Sequence, residues 1–392
     1  MTSRRPPPAV SLADIEAAAA AIAGEVPHTP IVAAPALGAL IDAEVFLKLE
    51  TLQYTGSFKE RGALFKLKSL TAAERRAGVI AMSAGNHAQG VAYHAERLGI
   101  PATIVMPKDT PFTKIERTER FGARIVLAGA SLAAARRRAV EIAAAQGLIL
   151  IHPYDDARII AGQGTVGREM LADQPALDTL VVPVGGGGLI AGIAVAAKAL
   201  KPDISIIGVE CAAYSGMLHA LGRGAAPRGG PTLAEGIAVG EPGKLARPIV
   251  AALVEDILLV EEDAIERAIA LLLDRQRLVV EGAGAAPVAA LLQEKARFRG
   301  RRIGVVLSGG NIDARLLASI LQRELARAGR LVRLRIQITD VPGALATVAR
   351  IIGERGGNIV EIYHQRLFPD VPVKLAEIDI VVETRNPHHV GE

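Results

Sequence analysis

A lysine at the start of a predicted helix is the first residue of this sequence that could do covalent chemistry. Lys59 follows Thr55, Ser57 and Phe58, and hydroxyl side chains are typical of the N-terminal end of a helix. The partial positive charge of a helix N-terminus disfavours the ammonium form, and burial behind Phe58 would act in the same direction. Lys59 is therefore a candidate for the neutral amine that a Schiff-base lysine requires. The structural alternative is a surface lysine at a helix start.

A second candidate site is the segment SAGNHAQG at 83–90, which follows an apolar run and precedes a helix pattern. Backbone N–H groups and the Ser83 hydroxyl at a helix N-terminus form a cup for a carboxylate or a phosphate. The Asn86 amide can donate to an oxyanion. A tight turn from strand to helix, with His87 as a cap, explains the same residues without a ligand.

A third candidate is a run of four glycines, Gly185 to Gly188, between a buried strand pattern and an uncharged helix pattern. Without side chains, such a backbone can wrap a phosphate with several N–H donors. No Gly-Lys-Ser/Thr follows, so the run is not a Walker A loop. Gly186 to Ala191 also fits G-x-G-x-x-A, and Glu210 ends a strand pattern further on. This pattern resembles a dinucleotide-binding fingerprint, so a nicotinamide-dependent dehydrogenase remains an alternative. Such a unit, however, usually lies at the start of its fold.

The fourth candidate is Ser308, which ends an apolar strand pattern and precedes two glycines. Its hydroxyl can bond a ring nitrogen or cap the next helix. An amine, an anion cup, a phosphate-sized loop and a ring-nitrogen partner, each at a strand end, together match one ligand. That ligand is pyridoxal phosphate, which has an aldehyde, a phosphate and a pyridine nitrogen.

The order and spacing of these motifs resemble the fold-type-II pyridoxal-phosphate enzymes. Within that group the sequence is most similar to the threonine dehydratases (threonine ammonia-lyases) that carry a C-terminal ACT regulatory module. The resemblance covers nearly the whole chain and rests on five segments, which are TGSFKERGA, SAGNHAQG, PVGGGGLIAG, VEGAGA and LSGGN.

The resemblance implies roles for particular residues. Lys59 would hold the cofactor aldehyde and act as base at Cα, with Phe58 against the ring, Asn86 on the phenolic oxygen and Ser308 on the pyridine nitrogen. The phosphate would lie on Gly185, Gly186, Gly187, Gly188 and Leu189, while Gly236 and Glu281 would line the cofactor pocket. The substrate carboxylate would be clamped by Ser83, Ala84, Gly85, Asn86 and His87. The implied reaction is a β-elimination that converts L-threonine to 2-oxobutanoate and ammonia, or L-serine to pyruvate.

Two departures from related enzymes bear on this expectation. The serine racemases place a serine where this chain has Ala84, so we expect elimination rather than racemisation. Those relatives also bind a divalent cation through a Glu and an Asp. Glu210 matches the first, but Gly216 stands where the Asp would be, so we predict no metal site and leave open whether Glu210 contributes to one. The preference among threonine, serine and a hydroxyaspartate is not determined, nor is a biosynthetic or a degradative role.

The elements that must position these residues alternate in type over about 300 residues. Short β-branched runs separated by amphipathic helix patterns predict parallel sheets wrapped by helices, with ligands at the carboxyl ends of the strands. We expect a large cofactor-binding domain from 1–46 and 151–325, and a small substrate-clamping domain at 47–150. A disordered tail is expected up to Pro8, followed by a helix capped by Ser11 and Asp14.

A small α+β module is expected at 331–392, and it resembles an ACT domain. Its strand and helix patterns give only the first four elements of the β-α-β-β-α-β order, so an incomplete module is predicted. ACT modules pair across subunits and bind amino acids beside a turn like Asp340 to Gly343. The resemblance thus implies a homodimer or homotetramer and an amino-acid effector. A non-catalytic amino-acid sensor remains the third alternative.

Composition narrows the remaining function classes. The 392 residues suggest two or three domains, and 50% apolar residues exclude wholesale disorder. With a net charge of +4, no Trp and 3% aromatic residues, we expect no nucleic-acid partner. Cys211 is the single cysteine, which excludes an internal disulfide and a cysteine-cluster metal site. No targeting segment or membrane span is expected, so a cytoplasmic protein is predicted.

Overall fold

The computed structural model describes residues 9–365 and 374–392. The predicted disordered tail lies outside the described residues. In the described part, the strands are β1 (Ile31–Ala33), β2 (Glu44–Leu49), β3 (Val79–Met82), β4 (Ala102–Met106), β5 (Arg124–Leu127), β6 (Ile149–Leu150), β7 (Thr179–Pro183), β8 (Ser205–Cys211), β9 (Asp256–Val260), β10 (Arg302–Leu307), β11 (Leu331–Thr339), β12 (Asn358–Gln365) and β13 (Leu375–Glu383).

The helices of the same residues alternate with these strands. They are α1 (Leu12–Ile22), α2 (Pro35–Ile41), α3 (Lys59–Lys68), α4 (Ala72–Ala77), α5 (Asn86–Arg97), α6 (Phe112–Glu119), α7 (Leu132–Gln146), α8 (Ala157–Asp173), α9 (Gly188–Leu200), α10 (Gly216–Ala220), α11 (Ala246–Leu253), α12 (Glu262–Gln276), α13 (Gly282–Gln293), α14 (Lys295–Phe298), α15 (Ala314–Arg327), α16 (Ala344–Glu354) and α17 (Pro387–Gly391). Short 3₁₀ turns lie at Glu50–Leu52, Ala212–Tyr214 and Glu235–Ile237.

Two parallel-rich sheets form the first part of the chain. The larger has the strand order β1-β2-β10-β7-β8-β9, and only β1 runs antiparallel to its neighbour. The smaller is fully parallel with the order β5-β4-β3-β6. Strands such as β7 and β8 are buried along their whole length, because helices cover both faces of such a sheet. The predicted α/β class is confirmed.

The start of α1 agrees with the sequence, whereas at α3 neither Thr55 nor Ser57 caps the helix. Ser11 and Asp14 make the reciprocal bonds of a capping box, which confirms the predicted cap of α1.

The core of the large sheet is formed by α1, α8, α9 and α11 with apolar strand residues, while the small sheet packs against α5 and α7 in clusters of its own. Each sheet therefore has its own packed support.

The chain divides into two compact units, residues 1–312 and 313–392. The second unit contains the antiparallel sheet β11-β13-β12, whose inner face packs Ile378, Ile380 and Val382 against α16. This is the small C-terminal α+β module expected from the sequence. The predicted domain bounds and the identity of the module as an ACT domain stay predictions.

No helix in residues 9–365 and 374–392 is both long and apolar enough to cross a bilayer.

Candidate active site

A cavity of about 730 Å³ in the first unit brings together every residue that the resemblance assigned to the cofactor or to the substrate carboxylate. Its walls come from both sheets and from the helices that start at their carboxyl edges, as expected for parallel strands. The predicted residues that line it are Phe58, Lys59, Ser83, Ala84, Gly85, Asn86, His87, Gly185, Gly186, Gly187, Gly188, Leu189, Gly236, Glu281 and Ser308.

Lys59 is the first residue of α3, and its amine lies at the cavity. The loop before it is held against the loop after β10, because the Phe58 N–H donates to the Ser308 carbonyl at 3.1 Å. Lys59 Nζ donates to the Pro153 carbonyl at 2.8 Å and lies 5.1 Å from the Phe58 ring centroid. Burial lowers the pKa of Lys59 to about 8, against an opposing effect of the Glu281 carboxylate. The amine is thus far easier to deprotonate than that of a solvated lysine.

A chain of polar side chains crosses the cavity wall from Glu281 to the loop before Lys59. Asn86 Nδ2 donates to Glu281 Oε1 at 2.7 Å, and Asn86 Oδ1 accepts from Asn311 Nδ2 at 2.8 Å. Asn311 Nδ2 also donates to the Thr55 carbonyl at 2.7 Å. Burial raises the pKa of Glu281 to about 7, although the bond from Asn86 opposes it. These bonds fix the orientation of the Asn86 amide at the cavity.

The glycine run forms the turn between β7 and α9. Gly187 has a φ of 90°, a conformation that side chains rarely adopt, and α9 begins at Gly188. A Cβ on Gly186 would collide with the Tyr154 ring, and one on Gly188 would lie 2.8 Å from the Tyr154 carbonyl oxygen. Only a backbone without side chains fits here. The result is a cradle at the N-terminus of a 13-residue helix, which is the geometry that binds phosphate.

The segment 83–87 contributes mostly backbone and small side chains. α5 begins at Asn86, and the Gly85 N–H donates to Ser83 Oγ at 3.2 Å. His87 Nε2 lies 2.9 Å from the Ile151 carbonyl, and burial, with a smaller effect of Lys59, lowers the pKa of His87 to about 3. The ring is therefore neutral and this nitrogen is engaged within the protein. His87 therefore supplies no positive charge to a substrate carboxylate.

Glu210 does not serve the dinucleotide alternative. Its fully buried carboxylate accepts from the amides of Met217 at 2.7 Å and Leu218 at 3.0 Å, at the start of α10. It does not line the cavity that contains the glycine run. A ribose-binding carboxylate at this position is thus contradicted. Among the described residues, no group of three or more His, Cys, Asp or Glu is placed to hold a metal ion.

Sequence reasoning missed several residues of the cavity wall. Tyr154 packs on the glycine run and donates from its hydroxyl to the Glu241 carbonyl at 3.1 Å. Lys114 on α6 forms an ion pair with Glu235 and joins the two sides of the cavity. The sequence signal for Tyr154 was present in the HPYDD segment before α8, but nothing in the spacing tied it to the glycines. Ion pairs between distant elements have no sequence signal at all.

Sequence patterns also do not reveal a buried charge cluster that packs against α3. The Arg61 guanidinium, two residues after Lys59, binds Glu50 at 2.7 Å and Glu169 at 2.6 Å. Lys48 Nζ reaches the same Glu169 at 2.6 Å. Because all four side chains are buried or nearly so, the cluster ties α3 to α8 and to the end of β2. It fixes the helix that presents Lys59.

Comparison with known proteins identifies the family. A family model described as "Pyridoxal-phosphate dependent enzyme" matches residues 22–309. The chain belongs to this family of pyridoxal-phosphate-dependent enzymes. It is 42% identical to an L-threonine ammonia-lyase of Thermotoga maritima, over 98% of this chain and 96% of that protein. It is 44% identical to an L-threonine ammonia-lyase of Geobacter sulfurreducens, over 89% of this chain and 87% of that protein.

Solved structures of related enzymes have a similar fold. A threonine deaminase of T.th. has a TM-score of 0.72 at 41% identity, with 77% of this chain and 99% of that chain covered. A maize serine racemase has a TM-score of 0.75 at 34% identity, with 81% and 99% covered. The fold-type-II resemblance and the cofactor predicted from the sequence are confirmed, whereas the residue roles stay predictions.

The cavity fits pyridoxal phosphate on its own geometry. The glycine cradle leaves room that a Cβ would fill, and the Lys59 amine with its lowered pKa opens to the same space. Ser308, 2% exposed, lines the same cavity at the end of β10. A phosphate site, an amine and a hydroxyl are the three groups that this cofactor requires.

Proposed function

We propose that this pyridoxal-phosphate enzyme is an L-threonine ammonia-lyase. The observation that carries the proposal is the Lys59 amine, with a pKa of about 8, in one cavity with the glycine cradle. The relatives named threonine ammonia-lyase and threonine deaminase support it over most of the chain. The small-molecule substrate would be L-threonine, with L-serine as a second substrate.

Different residues of the cavity would bind different groups of the cofactor. Lys59 Nζ would hold the cofactor aldehyde, Gly185 to Leu189 its phosphate, Ser308 its ring nitrogen and Asn86 its phenolic oxygen. When bound, pyridoxal phosphate supplies an aldehyde that captures amino groups and a ring that withdraws electrons from them. The Ser308 hydroxyl at the ring nitrogen, unlike a carboxylate, would leave that nitrogen largely unprotonated, which would make the ring a weaker electron acceptor and suit the expulsion of a leaving group.

The substrate would be oriented by the segment 83–87. Its backbone amides at the start of α5 would hold the substrate carboxylate, which places Cα near Lys59. Lys59 Nζ, in its neutral form, would take the Cα proton, and the β-hydroxyl would leave with a proton as water. Water is added again in the last hydrolysis, so the balance is L-threonine to 2-oxobutanoate and ammonia. Ala84 offers no proton at the second face of Cα, which supports elimination rather than racemisation.

Release of 2-oxobutanoate from L-threonine tests the proposal. The holoenzyme is expected to form it with equimolar ammonia, and Lys59→Ala is expected to abolish both turnover and the visible absorbance of the bound cofactor. Lys68→Ala, at the other end of α3, is the matched control and should keep both. Assays with L-serine and a hydroxyaspartate rank the substrates. A protein that binds the cofactor but releases no 2-oxo acid from any of the three would contradict the proposal and support the sensor alternative.

The second unit would add regulation and assembly. We propose an amino-acid effector site beside the turn Asp340 to Gly343, and a homodimer or homotetramer. The support is the β-α-β-β order of β11, α16, β12 and β13, with α17 beginning a second helix. The cytoplasmic location stays a prediction.

A further inference from the structure

Glu60 and His94 form a buried pair immediately beside Lys59. Both residues are 0% exposed, and Glu60 Oε2 lies 3.6 Å from His94 Nε2. Among the described residues, neither Glu60 Oε2 nor either ring nitrogen of His94 has a hydrogen-bond partner. Polar atoms buried without hydrogen-bond partners are costly, so an attraction between the two groups across 3.6 Å is the contact that offsets part of this cost. None of the roles assigned above uses this pair.

The pair closes a circuit of contacts around the site. The other oxygen of Glu60 accepts a hydrogen bond from the Thr55 N–H, in the loop that leads to Lys59. The Thr55 carbonyl accepts from Asn311, which also donates to Asn86 at the start of α5. His94 lies on the same helix, two turns after Asn86. The circuit therefore runs from α5 through the loop before Lys59 and back to α5.

Helices α3 and α5 pack closely against each other at Lys59. A Cβ on Gly90 of α5 would lie 3.3 Å from the Glu60 nitrogen and 3.3 Å from the Lys59 carbonyl carbon. One turn further along α5, His94 faces the Glu60 carboxylate. A shift of α3 along α5 would thus move the Lys59 amine relative to the Asn86 amide, and the pair sits where it opposes that shift.

We propose that Glu60 and His94 are positioning residues that hold the first turn of α3 against α5, so that the Lys59 amine and the Asn86 amide face the same ligand. The inference rests on the proposed function for its kinetic test. Cofactor affinity and thermal stability test it separately, since neither requires threonine turnover.

His94→Ala is the principal test, with three measurements on the full-length protein. The unpaired carboxylate should raise the cofactor Kd, followed by absorbance on titrating the unloaded protein, by about tenfold. We expect kcat for L-threonine to fall by about tenfold while KM changes less than about twofold, because the reacting groups are displaced and the carboxylate cup is retained. His94→Gln, whose amide can donate to Glu60, should recover most of both losses.

Lys68→Ala is the matched control for a merely structural effect. Lys68 ties the opposite end of α3 to Glu25 and to the Ala21 carbonyl. Its loss should lower the melting temperature without changing the cofactor Kd or kcat. If Lys68→Ala at an equal fall in melting temperature reproduces the losses of His94→Ala, or if His94→Gln recovers nothing, the proposal is wrong.

A second pair of variants decides the matter if His94→Ala does not fold. Glu60→Gln keeps the acceptor for the Thr55 N–H and can donate to His94, so cofactor Kd should stay within about threefold of the parent. Glu60→Met has a similar length and no hydrogen-bonding groups, and should raise that Kd by about tenfold. Equal Kd values for the two variants would overturn the proposal, whatever the turnover of threonine.

Discussion

Lys59 carries an amine whose protonation sets the rate at which the protein captures its cofactor. Burial lowers its pKa to about 8 from an ordinary value of 10.5. Only the neutral amine attacks an aldehyde, and its fraction grows as the pH rises through the pKa. We therefore expect the rate of cofactor capture by unloaded protein to rise with pH, with a midpoint near 8, when followed by stopped-flow absorbance.

Glu281 provides the control for this profile. Its carboxylate raises the pKa of Lys59, so Glu281→Gln should move the midpoint to lower pH, while the amide oxygen can still accept from Asn86. A midpoint close to 10.5 in the parent protein would show that the Lys59 amine is solvated and would contradict the buried site.

At the scale of elements, the turn between β7 and α9 has no room for a side chain at Gly186. Gly186→Ala would press a Cβ into the Tyr154 ring, and overpacking of this kind costs about 1–3 kcal/mol. The cradle must then open, so we expect the cofactor Kd to rise by about tenfold, as measured by absorbance titration. Gly240→Ala is the control, since Gly240 lines the same cavity and a Cβ there meets nothing within 4 Å. Equal cofactor affinities of the two variants would contradict the cradle.

Most of these elements could be predicted because their sequence patterns are local. The helix with the predicted Ser11 and Asp14 cap begins at Leu12, and the alternation of β-branched runs with helix patterns corresponds to the two parallel-rich sheets and their helices. Helix α8 was not predicted. It contains Gly162, Gly164 and Gly167, which normally weaken a helix, but which here allow α3, α1 and α9 to pack closely on it. Tertiary packing outweighs local preference in that helix.

The candidate site was predictable where one motif supplies one wall of the cavity. The segments at 55–63, 83–90, 183–192, 280–285 and 307–311 each follow or precede a buried strand or begin a helix. The contacts between walls were not predictable, because the bond from Asn311 to Asn86 joins residues 225 positions apart. For the same reason the Lys114–Glu235 and Glu60–His94 pairs emerge only from the three-dimensional structure.

At the scale of the whole molecule, the two units should separate catalysis from regulation. All residues predicted to bind the cofactor or the substrate lie within 1–312, and the threonine deaminase of T.th. matches 77% of this chain over 99% of its own length. Deletion of residues 331–392 is therefore expected to leave kcat for threonine within about twofold, because the effect of an effector on the active site is a coupling between two sites and can be lost without loss of the reaction.

If the second unit binds an effector, the full-length protein and the protein that lacks residues 331–392 should respond differently to amino acids. Isoleucine or valine at millimolar concentration should change the activity or the melting temperature of the full-length protein, and should change neither in the shortened one. Calorimetry and the 2-oxo-acid assay measure both. No response of the full-length protein to either amino acid would show that the second unit has no such site.

The position of β10 has a consequence for biosynthesis. This strand is the last of its sheet to leave the ribosome, yet it lies between β2 and β7 in the middle of that sheet. Until residue 307 has been made, β2 and β7 both present unpaired edges, which are prone to pair with other chains. A polypeptide that stops before this strand also lacks Ser308 and Asn311, which follow it and bond the loop before Lys59. Added pyridoxal phosphate therefore cannot complete the fold of such a truncated chain.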